Sequence, residues 1–196
     1  QIPHRFVDWR YTNVIPKLSS IALYRQDISS KIGHNYYQEL SGKTSYFNLR
    51  QGEGNIAVAE LITSKYTPTD FHLFPHPRTL ENGVTILGYS PITINNGLGW
   101  IIHWIAGEKS TIDYHFFNHL YDLNGTKIGQ SDAASFPAYQ WKDGDRVISF
   151  FSTNLDKKPK YLKVGMYTYP DMQNIFFVDS SGKSVKSEIS SIWHSN

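Results

Sequence analysis

The sequence predicts a mainly β protein, an antiparallel β-sandwich of Ig-like or jelly-roll type. From residue 84 to the C-terminus, apolar blocks of strand length recur, separated by Asn-Gly, Asp-Gly and Ser-Gly pairs that suit tight turns. No helical pattern intervenes between these blocks. The chain of 196 residues is also rich in aromatic residues, with 13 Tyr, 11 Phe and 5 Trp. Aromatic side chains favour the pleated, half-buried surface of a sheet.

The composition is that of a globular protein and argues against a nucleic-acid partner. Hydrophobic residues make up 40% of the chain and charged residues 18%, with a net charge of +2. Acidic and basic residues are interspersed, so the sequence lacks the basic stripe that phosphate binding requires. Cysteine is absent, which excludes disulfides, thiolate metal ligands and cysteine nucleophiles.

The apolar runs are too short for a transmembrane helix, which needs roughly 18 such residues. The best run, Trp100 to Ala106, is interrupted by His103. The chain starts at Gln1 with no Met and no signal peptide, which suggests a processed exported protein or a soluble part of a longer one. We expect an extracytoplasmic location, either secreted or tethered through a membrane-anchored parent protein.

A proline-rich crossing at residues 67–82 is the best boundary in the chain. It holds three of the nine prolines, and proline lacks the amide donor that a sheet ladder uses. We expect one domain over residues 1–196, in which residues 1–82 form an extension packed on a sandwich core of residues 83–196.

The extension contains two elements of different expected structure. Residues 1–13 mix aromatic and charged side chains and predict an edge strand or an arm. Residues 16–32 admit a helix, because Pro16 suits a first turn, Gly33 suits a stop and apolar residues fall near helical spacing. Against the helix, Arg25 lies on the apolar stripe and several serines are mediocre helix formers. Further strands are expected at residues 36–37, 44–49 and 56–62.

The sandwich core should contain a central strand at residues 100–105, because its apolar residues occupy both faces. The turn at Asn124-Gly125 is predicted to be type I′, since both residues readily adopt the positive φ that this turn demands. The full set of strands predicted in the core comprises residues 84–90, 100–105, 112–122, 126–130, 147–152, 161–167, 175–179 and 185–193.

A series of short motifs runs through the core. They are Leu87-Gly88-Tyr89, Trp104, Asp113-Tyr114, His119-Leu120-Tyr121-Asp122, Gly125, Gln130-Ser131-Asp132, Trp141-Lys142-Asp143-Gly144-Asp145 and Val164-Gly165-Met166-Tyr167. In these motifs, residues 84–182 resemble the extracytoplasmic β-sandwich module attached to bacterial membrane glycosyltransferase-like proteins of the lipid-linked sugar type. The resemblance implies an exported, non-catalytic accessory domain and carries over no catalytic residues. A lysine-rich turn near Pro159 departs from the Pro-Gly-x-Tyr entry more common in that family.

The histidines do not predict a metal site. His115 and His119 would share one strand face roughly 13 Å apart, too far to chelate one ion. His103 on a neighbouring strand could join one of them, but structural histidines explain the pattern better. His72 and His76 flank Phe74-Pro75, so a helical two-histidine site is excluded and only ligation from a loop would remain. No metal and no cofactor are expected.

Catalytic signatures are equally weak. A Gly-x-Ser-x-Gly nucleophile elbow is absent from the sequence. Glycoside hydrolysis needs two carboxylates across a cleft, and the candidates are Asp113, Asp122, Asp132, Asp143 and Asp145. Three of them, Asp122, Asp143 and Asp145, stand where turns favour an Asx residue. We therefore predict a protein that is not an enzyme, with a glycan hydrolase as the remote alternative.

The remaining predictions concern recognition. We expect a module that binds glycan, with Tyr139 and Trp141 stacking on sugar rings beside Asp132. The alternative is a structural subunit that docks on a protein partner or polymerises, with residues 1–13 adding to a neighbouring sheet. Asn124-Gly125-Thr126 is an N-x-Thr acceptor on a predicted hairpin tip, so Asn124 is a candidate glycosylation site, although a plain Asn-Gly turn explains the pattern better.

Overall fold

The computed structural model describes residues 12–15, 20–25, 47–51, 56–61, 72–92, 94, 97–134, 137–155 and 157–194. In this part of the chain the protein is mainly β, with two large antiparallel sheets that enclose a common core, as in a β-sandwich. This confirms the predicted fold class. No helix in the described ranges is long and apolar enough to cross a membrane.

Seventeen strands and one short 3₁₀ helix make up the described structure. The strands are β1 Thr12–Ile15, β2 Ser20–Arg25, β3 Phe47–Gln51, β4 Ile56–Leu61, β5 His72–Leu73, β6 Thr79–Leu80, β7 Thr85–Ile92, β8 Leu98–Ile105, β9 Asp113–Tyr121, β10 Lys127–Gln130, β11 Ala133–Ala134, β12 Arg146–Thr153, β13 Tyr161–Tyr169, β14 Asn174–Ile175, β15 Phe177–Val178, β16 Ser184–Lys186 and β17 Ile189–Ile192. The 3₁₀ helix is Ala138–Gln140.

The strands form three sheets. Sheet I has eight strands in the order β1-β12-β8-β7-β6-β15-β16, with β5 also paired to β7. Sheet II has six strands in the order β10-β9-β13-β14, with β11 paired to β9 and β17 paired to β13. Sheet III contains β2, β4 and β3. Every pairing recorded in the three sheets is antiparallel.

The helix predicted over residues 16–32 is wrong where the structure describes this range. Ser20–Arg25 is strand β2, which pairs with β4 along its whole length from Ser20↔Leu61 to Arg25↔Ile56. A partner strand distant in sequence therefore overrides weak local helical spacing. The strands expected at 44–49 and 56–62 are present as β3 and β4. The expected strand at 36–37 lies outside the described residues.

At one edge of sheet I lies β1, which pairs with the first half of β12. Its side chains Thr12 and Val14 are buried. The strand or arm expected at residues 1–13 lies mostly outside the described residues, and the strand that the structure contains begins at Thr12.

The central strand predicted at residues 100–105 is confirmed. Strand β8 lies between β12 and β7 in sheet I. Trp100, Ile102 and Trp104 point into the core between the sheets. On the opposite face of β8, Ile101 and His103 are buried as well. Because both faces are covered, the strand is apolar at nearly every position.

Aromatic side chains fill the core between sheets I and II. Trp104 on β8 contacts Phe116 on β9 with their ring centroids 5.3 Å apart, and Phe151 on β12 lies edge-on to the same phenylalanine at 6.3 Å. Leu162, Val164 and Met166 of β13 complete the layer and are fully buried. Burial of each such side chain stabilises the fold by about 1.5–3 kcal/mol.

The hairpin at Asn124-Gly125 is not the predicted type I′ turn. Gly125 has φ +77°, whereas Asn124 keeps a negative φ. The carboxylate of Asp122 accepts hydrogen bonds from the backbone N–H of Asn124 and of Thr126, both at 2.9 Å. These bonds favour a three-residue loop with only the glycine in the left-handed region. The hairpin at Asp179 repeats this arrangement, with Gly182 at φ +81°.

Near the C-terminus the chain changes sheets twice. The predicted strand at 175–179 is broken at Phe176 into β14 of sheet II and β15 of sheet I. The predicted strand at 185–193 is likewise divided into β16 of sheet I and β17 of sheet II. These crossings connect the two sheets at their margin, so neither segment continues as one strand.

Candidate functional site

Trp141 belongs to the core rather than to a binding surface. It is 2% exposed, stacks on Tyr114 at 5.5 Å between ring centroids, and lies edge-on to Trp104 at 5.2 Å. The expectation that this ring stacks on a glycan is therefore wrong, because neither ring face is open to a ligand. Proximity to a turn suggested exposure in the sequence, but Trp141, which follows the short 3₁₀ helix Ala138–Gln140, packs in the core.

Tyr139 is exposed, as a binding residue should be, but it stands apart from the other predicted residues. Its side chain is 53% exposed and its hydroxyl accepts a 3.3 Å hydrogen bond from Gln140 Nε2. Among the described residues, no second ring packs against it. The 3₁₀ helix therefore offers one aromatic side chain in place of the predicted pair.

Asp132 lies beside strand β9, at the break between β10 and β11. Its Oδ1 accepts a 3.3 Å hydrogen bond from the backbone N–H of Asn118. Burial lowers the pKa of His115 and of His119, and the exposed Asp132 carboxylate opposes this effect on both. Asp132 thus lies close to a second cluster of aromatic side chains, on the outside of sheet II.

That cluster is the surface of β9 and β13 that points away from the core, which we call the outer face. Side chains alternate across a strand, so every second residue contributes to it. The register pairs His115 with Tyr167, Phe117 with Gly165, His119 with Lys163, and Tyr121 with Tyr161. Tyr169 follows at the end of β13.

The rings of the outer face form a continuous series along the strands, which we call the ring ladder. Each ring lies within 6.5 Å, centroid to centroid, of the next. Its members, in spatial order, are Tyr169, His115, Tyr167, Phe117, His119 and Tyr121. The closest contact joins Tyr169 and His115, which are stacked at 4.4 Å with 8° between their planes.

Gly165 makes the middle of the ring ladder possible. A Cβ atom at this position would lie 2.2 Å from Cζ of Phe117 and 2.4 Å from the backbone oxygen of Ser187. The phenylalanine ring therefore lies across the neighbouring strand in space that only a glycine leaves open. Glycine in a strand interior often marks such a close approach.

Charged groups flank the rings. The amine of Lys163 lies 2.7 Å from Glu188 Oε1 and 4.6 Å from the centroid of the Tyr121 ring. The hydrogen bond to Glu188 raises the pKa of Lys163. An ion pair as exposed as this one contributes little to stability, so its main effect is to hold the amine over the ring. Lys127 donates to Gln130 at 2.7 Å on the neighbouring strand.

The two histidines of the ring ladder are neutral near pH 7. Partial burial lowers the pKa of His115, and the carboxylates of Asp113 and Asp132 oppose that effect only in part. Partial burial also lowers the pKa of His119, with Lys127 acting in the same direction. A neutral imidazole carries one N–H donor and one acceptor nitrogen, so each of the two rings can both donate and accept a hydrogen bond.

Exposure varies along the outer face. Tyr169 is 51% exposed, whereas Tyr167 and Phe117 in the middle are only 7% and 8% exposed. His115, His119 and the Tyr121 ring are partly exposed. The surface thus offers accessible rings toward both ends, with two buried rings between them.

The described residues contain no group of three His, Asp or Glu side chains arranged to hold a metal ion. The acidic and imidazole groups of the outer face instead stand on separate positions. The arrangement can stack and hydrogen-bond a ligand.

Asn124 lies exposed at the tip of the β9–β10 hairpin. Its backbone N–H donates to Asp122, and no hydrogen bond of its side chain is recorded among the described residues. The N-x-Thr acceptor is therefore accessible at this tip, and its glycosylation stays a prediction.

The ring ladder was only half visible in the sequence. Alternation of His115, Phe117, His119 and Tyr121 marks one strand face in the sequence, but it does not indicate which rings of other strands lie beside that face. The partners on β13 become neighbours only through the β9–β13 register.

No family model, no curated protein and no solved structure matches this chain.

Proposed function

We propose that this protein is a non-catalytic recognition module that binds glycan on the outer face of sheet II. The observation that carries the proposal is the ring ladder, a line of aromatic side chains flanked by carboxylates and amines. It replaces the predicted pair of Tyr139 and Trp141 as the place where sugar would stack.

Sugar rings need two kinds of contact, and the outer face supplies both. The apolar C–H face of a pyranose packs on an aromatic ring, while its hydroxyl groups require hydrogen-bond donors and acceptors. Tyr169 offers an accessible ring, and Lys163, Glu188 and Asp132 offer charged hydrogen-bonding groups nearby.

The outer face is also ordered before any ligand binds. Ring contacts fix the orientation of His115 against Tyr169, and the ion pair with Glu188 fixes Lys163. Side chains that are already held in place lose little conformational entropy on binding, which favours affinity. We extend the proposal to cell-envelope glycan and to an extracytoplasmic location, on the strength of the family resemblance of residues 84–182.

Retention of the protein on immobilised or gel-embedded polysaccharides tests the proposal. A panel of neutral glucans, mannans, chitin and peptidoglycan should include one that retains the protein. Tyr169→Ala should then weaken retention about 3- to 10-fold, because a stacked ring contributes about 0.5–1.5 kcal/mol.

Tyr139→Ala is the matched comparison, since Tyr139 is exposed to the same extent but lies on the 3₁₀ helix instead of β9 or β13. It should leave retention unchanged. A loss of retention in Tyr139→Ala but not in Tyr169→Ala would move the site to the loop and refute the proposal. So would a panel on which no polysaccharide retains the protein.

A second candidate function is assembly with a protein partner by strand addition. It is favoured by one observation, that β1 lies at the edge of sheet I among the described strands, where Thr12–Ile15 pairs with Arg146–Ser149 of β12. A strand of another chain could take this edge position and complete the sheet with backbone hydrogen bonds. Sedimentation of the protein with and without residues 1–13 tests this, and a monomer at all concentrations in both cases would exclude it.

A further inference from the structure

We infer that the ligand of the outer face is an extended, uncharged oligosaccharide chain that lies along strands β9 and β13. This inference rests on the proposed function and specifies its ligand. It follows from the continuity of the ring ladder, its length and the balance of charge around it.

The ring ladder is continuous. From Tyr169 to Tyr121, each ring touches the next without a gap wider than 6.5 Å between centroids. A site for one sugar needs only one or two stacking rings enclosed by polar groups. A line of rings that is accessible toward both of its ends instead offers similar contacts to more than one sugar, which suits a repeating ligand.

The ring ladder is also longer than one sugar ring. His115 and Tyr121 are separated by six residues on one strand, which at a rise of about 3.4 Å per residue corresponds to about 20 Å. A single sugar ring would cover only a small part of that distance. A chain of several linked sugars would contact the accessible rings toward both ends at once.

The charged groups placed around the outer face are more often acidic than basic. Among the described residues, three carboxylates lie around the outer face, on Asp113, Asp132 and Glu188, together with two amines on Lys127 and Lys163. One of the amines is already paired with Glu188. A polyanionic chain would meet more negative than positive charge here, so the surface favours an uncharged chain.

Isothermal titration of the unaltered protein with neutral oligosaccharides of rising length tests the inference. Gluco-, manno- and chito-oligosaccharides from monosaccharide to hexasaccharide supply three series. In the series that binds, the hexasaccharide should bind at least about tenfold more tightly than the monosaccharide, because further rings become engaged. Oligogalacturonates of equal length should bind more weakly.

Two variants locate the chain on the sheet. Tyr169→Ala and Tyr121→Ala remove rings at opposite ends of the ring ladder, and each should reduce the advantage of the hexasaccharide while changing monosaccharide binding less. Tyr139→Ala serves as the comparison variant. Circular dichroism establishes that each variant is folded, and the length series on the unaltered protein remains decisive where a variant does not fold.

The outcomes separate the inference from the proposed function. If a monosaccharide binds as tightly as the hexasaccharide, the extended chain is refuted while glycan recognition stands. If oligogalacturonates bind more tightly than neutral chains, the assignment of an uncharged ligand is refuted. If no series binds, both the inference and the proposed function are refuted.

Discussion

Trp100 and Asn118 join the two sheets of the sandwich by a hydrogen bond across the core. The indole Nε1 of Trp100 on β8 donates to Oδ1 of Asn118 on β9 at 2.9 Å, and both side chains are fully buried. Among the described residues, the Nδ2 group of Asn118 has no acceptor. The bond is directional in a core that is otherwise mostly apolar, so it favours one alignment of the two sheets over others.

Asn118→Leu should destabilise the protein by about 1–3 kcal/mol, the cost of leaving a buried donor without a partner. Leucine has a similar size and fills the space, so the effect is the cost of the unpaired Trp100 N–H group, less the gain from removing the unpaired Asn118 Nδ2 group. Urea unfolding followed by circular dichroism gives the free energy of unfolding.

The double variant Trp100→Phe with Asn118→Leu provides the control. Once both partners are apolar, no buried donor is left unsatisfied, so the pair should cost less than the sum of the single variants by about 0.5–3 kcal/mol. Additive effects would show that the hydrogen bond does not couple the sheets.

The long strands of the core could be predicted because their signal is local. Strand β8 is apolar on both faces, and β9 alternates between core and outer positions such as Phe116 and Phe117. Such patterns predict the strands correctly, because burial of these apolar side chains is the main contribution to the stability of the fold.

Strand β2 could not be predicted in the same way. The apolar pattern of Ser20–Arg25 is weak and fits both helical and strand spacing. Pairing with β4 determines that the segment is a strand. Context of this kind routinely outweighs intrinsic propensity.

The candidate site could be predicted only in part. Asp132 lies beside the outer face, and its role there stays a prediction, but Trp141 is a core residue, because exposure near a turn depends on where the loop packs. Tyr169 was missed because its stacking partner, His115, is brought to it by the register of two strands that are far apart in sequence.

Tyr89→Phe should loosen the C-terminal strand. The Tyr89 hydroxyl on β7 donates to the backbone oxygen of Ile192 at 2.6 Å and accepts from the backbone N–H of His194 at 2.8 Å. Phenylalanine keeps the ring that packs on Trp193 but removes both bonds, at a cost of about 1–2 kcal/mol. Hydrogen exchange of residues 189–194 should accelerate.

Tyr139→Phe is the control for this change, because it removes a hydroxyl that is exposed to water. It should leave both the stability and the exchange of residues 189–194 unaltered. Equal exchange in Tyr89→Phe and in the unaltered protein would show that the hydroxyl does not hold β17.

His103 should make stability fall in mild acid. Its Nε2 lies 3.1 Å from Ser90 Oγ, and burial lowers its pKa to about 4. In the unfolded chain the pKa is near 6.5, so between these values the unfolded state binds more protons. The contribution of the neutral imidazole is therefore complete above about pH 6.5. It declines as pH falls toward 4, by about 3 kcal/mol in all.

Urea unfolding at a series of pH values from 4 to 8 measures this loss, and His103→Gln isolates it from the titration of carboxylates. The difference in unfolding free energy between the two proteins should change through this window and be constant above it. Parallel pH profiles would exclude His103 as the source.

Gly165→Ala should be more destabilising than the change of a strained turn glycine. The new methyl group would meet the Phe117 ring at 2.2 Å and the Ser187 backbone oxygen at 2.4 Å, and overpacking of this kind costs about 1–3 kcal/mol. At Gly182 nothing lies within 4 Å, so Gly182→Ala meets only the penalty of its φ of +81°, about 1–2 kcal/mol.

Phe117→Ala should relieve part of the destabilisation caused by Gly165→Ala, because it removes the ring contact. The relief should be incomplete, because the contact with the Ser187 oxygen remains. Thermal unfolding of the three variants and the double variant measures this, and a fully additive double variant would contradict the proposed contact.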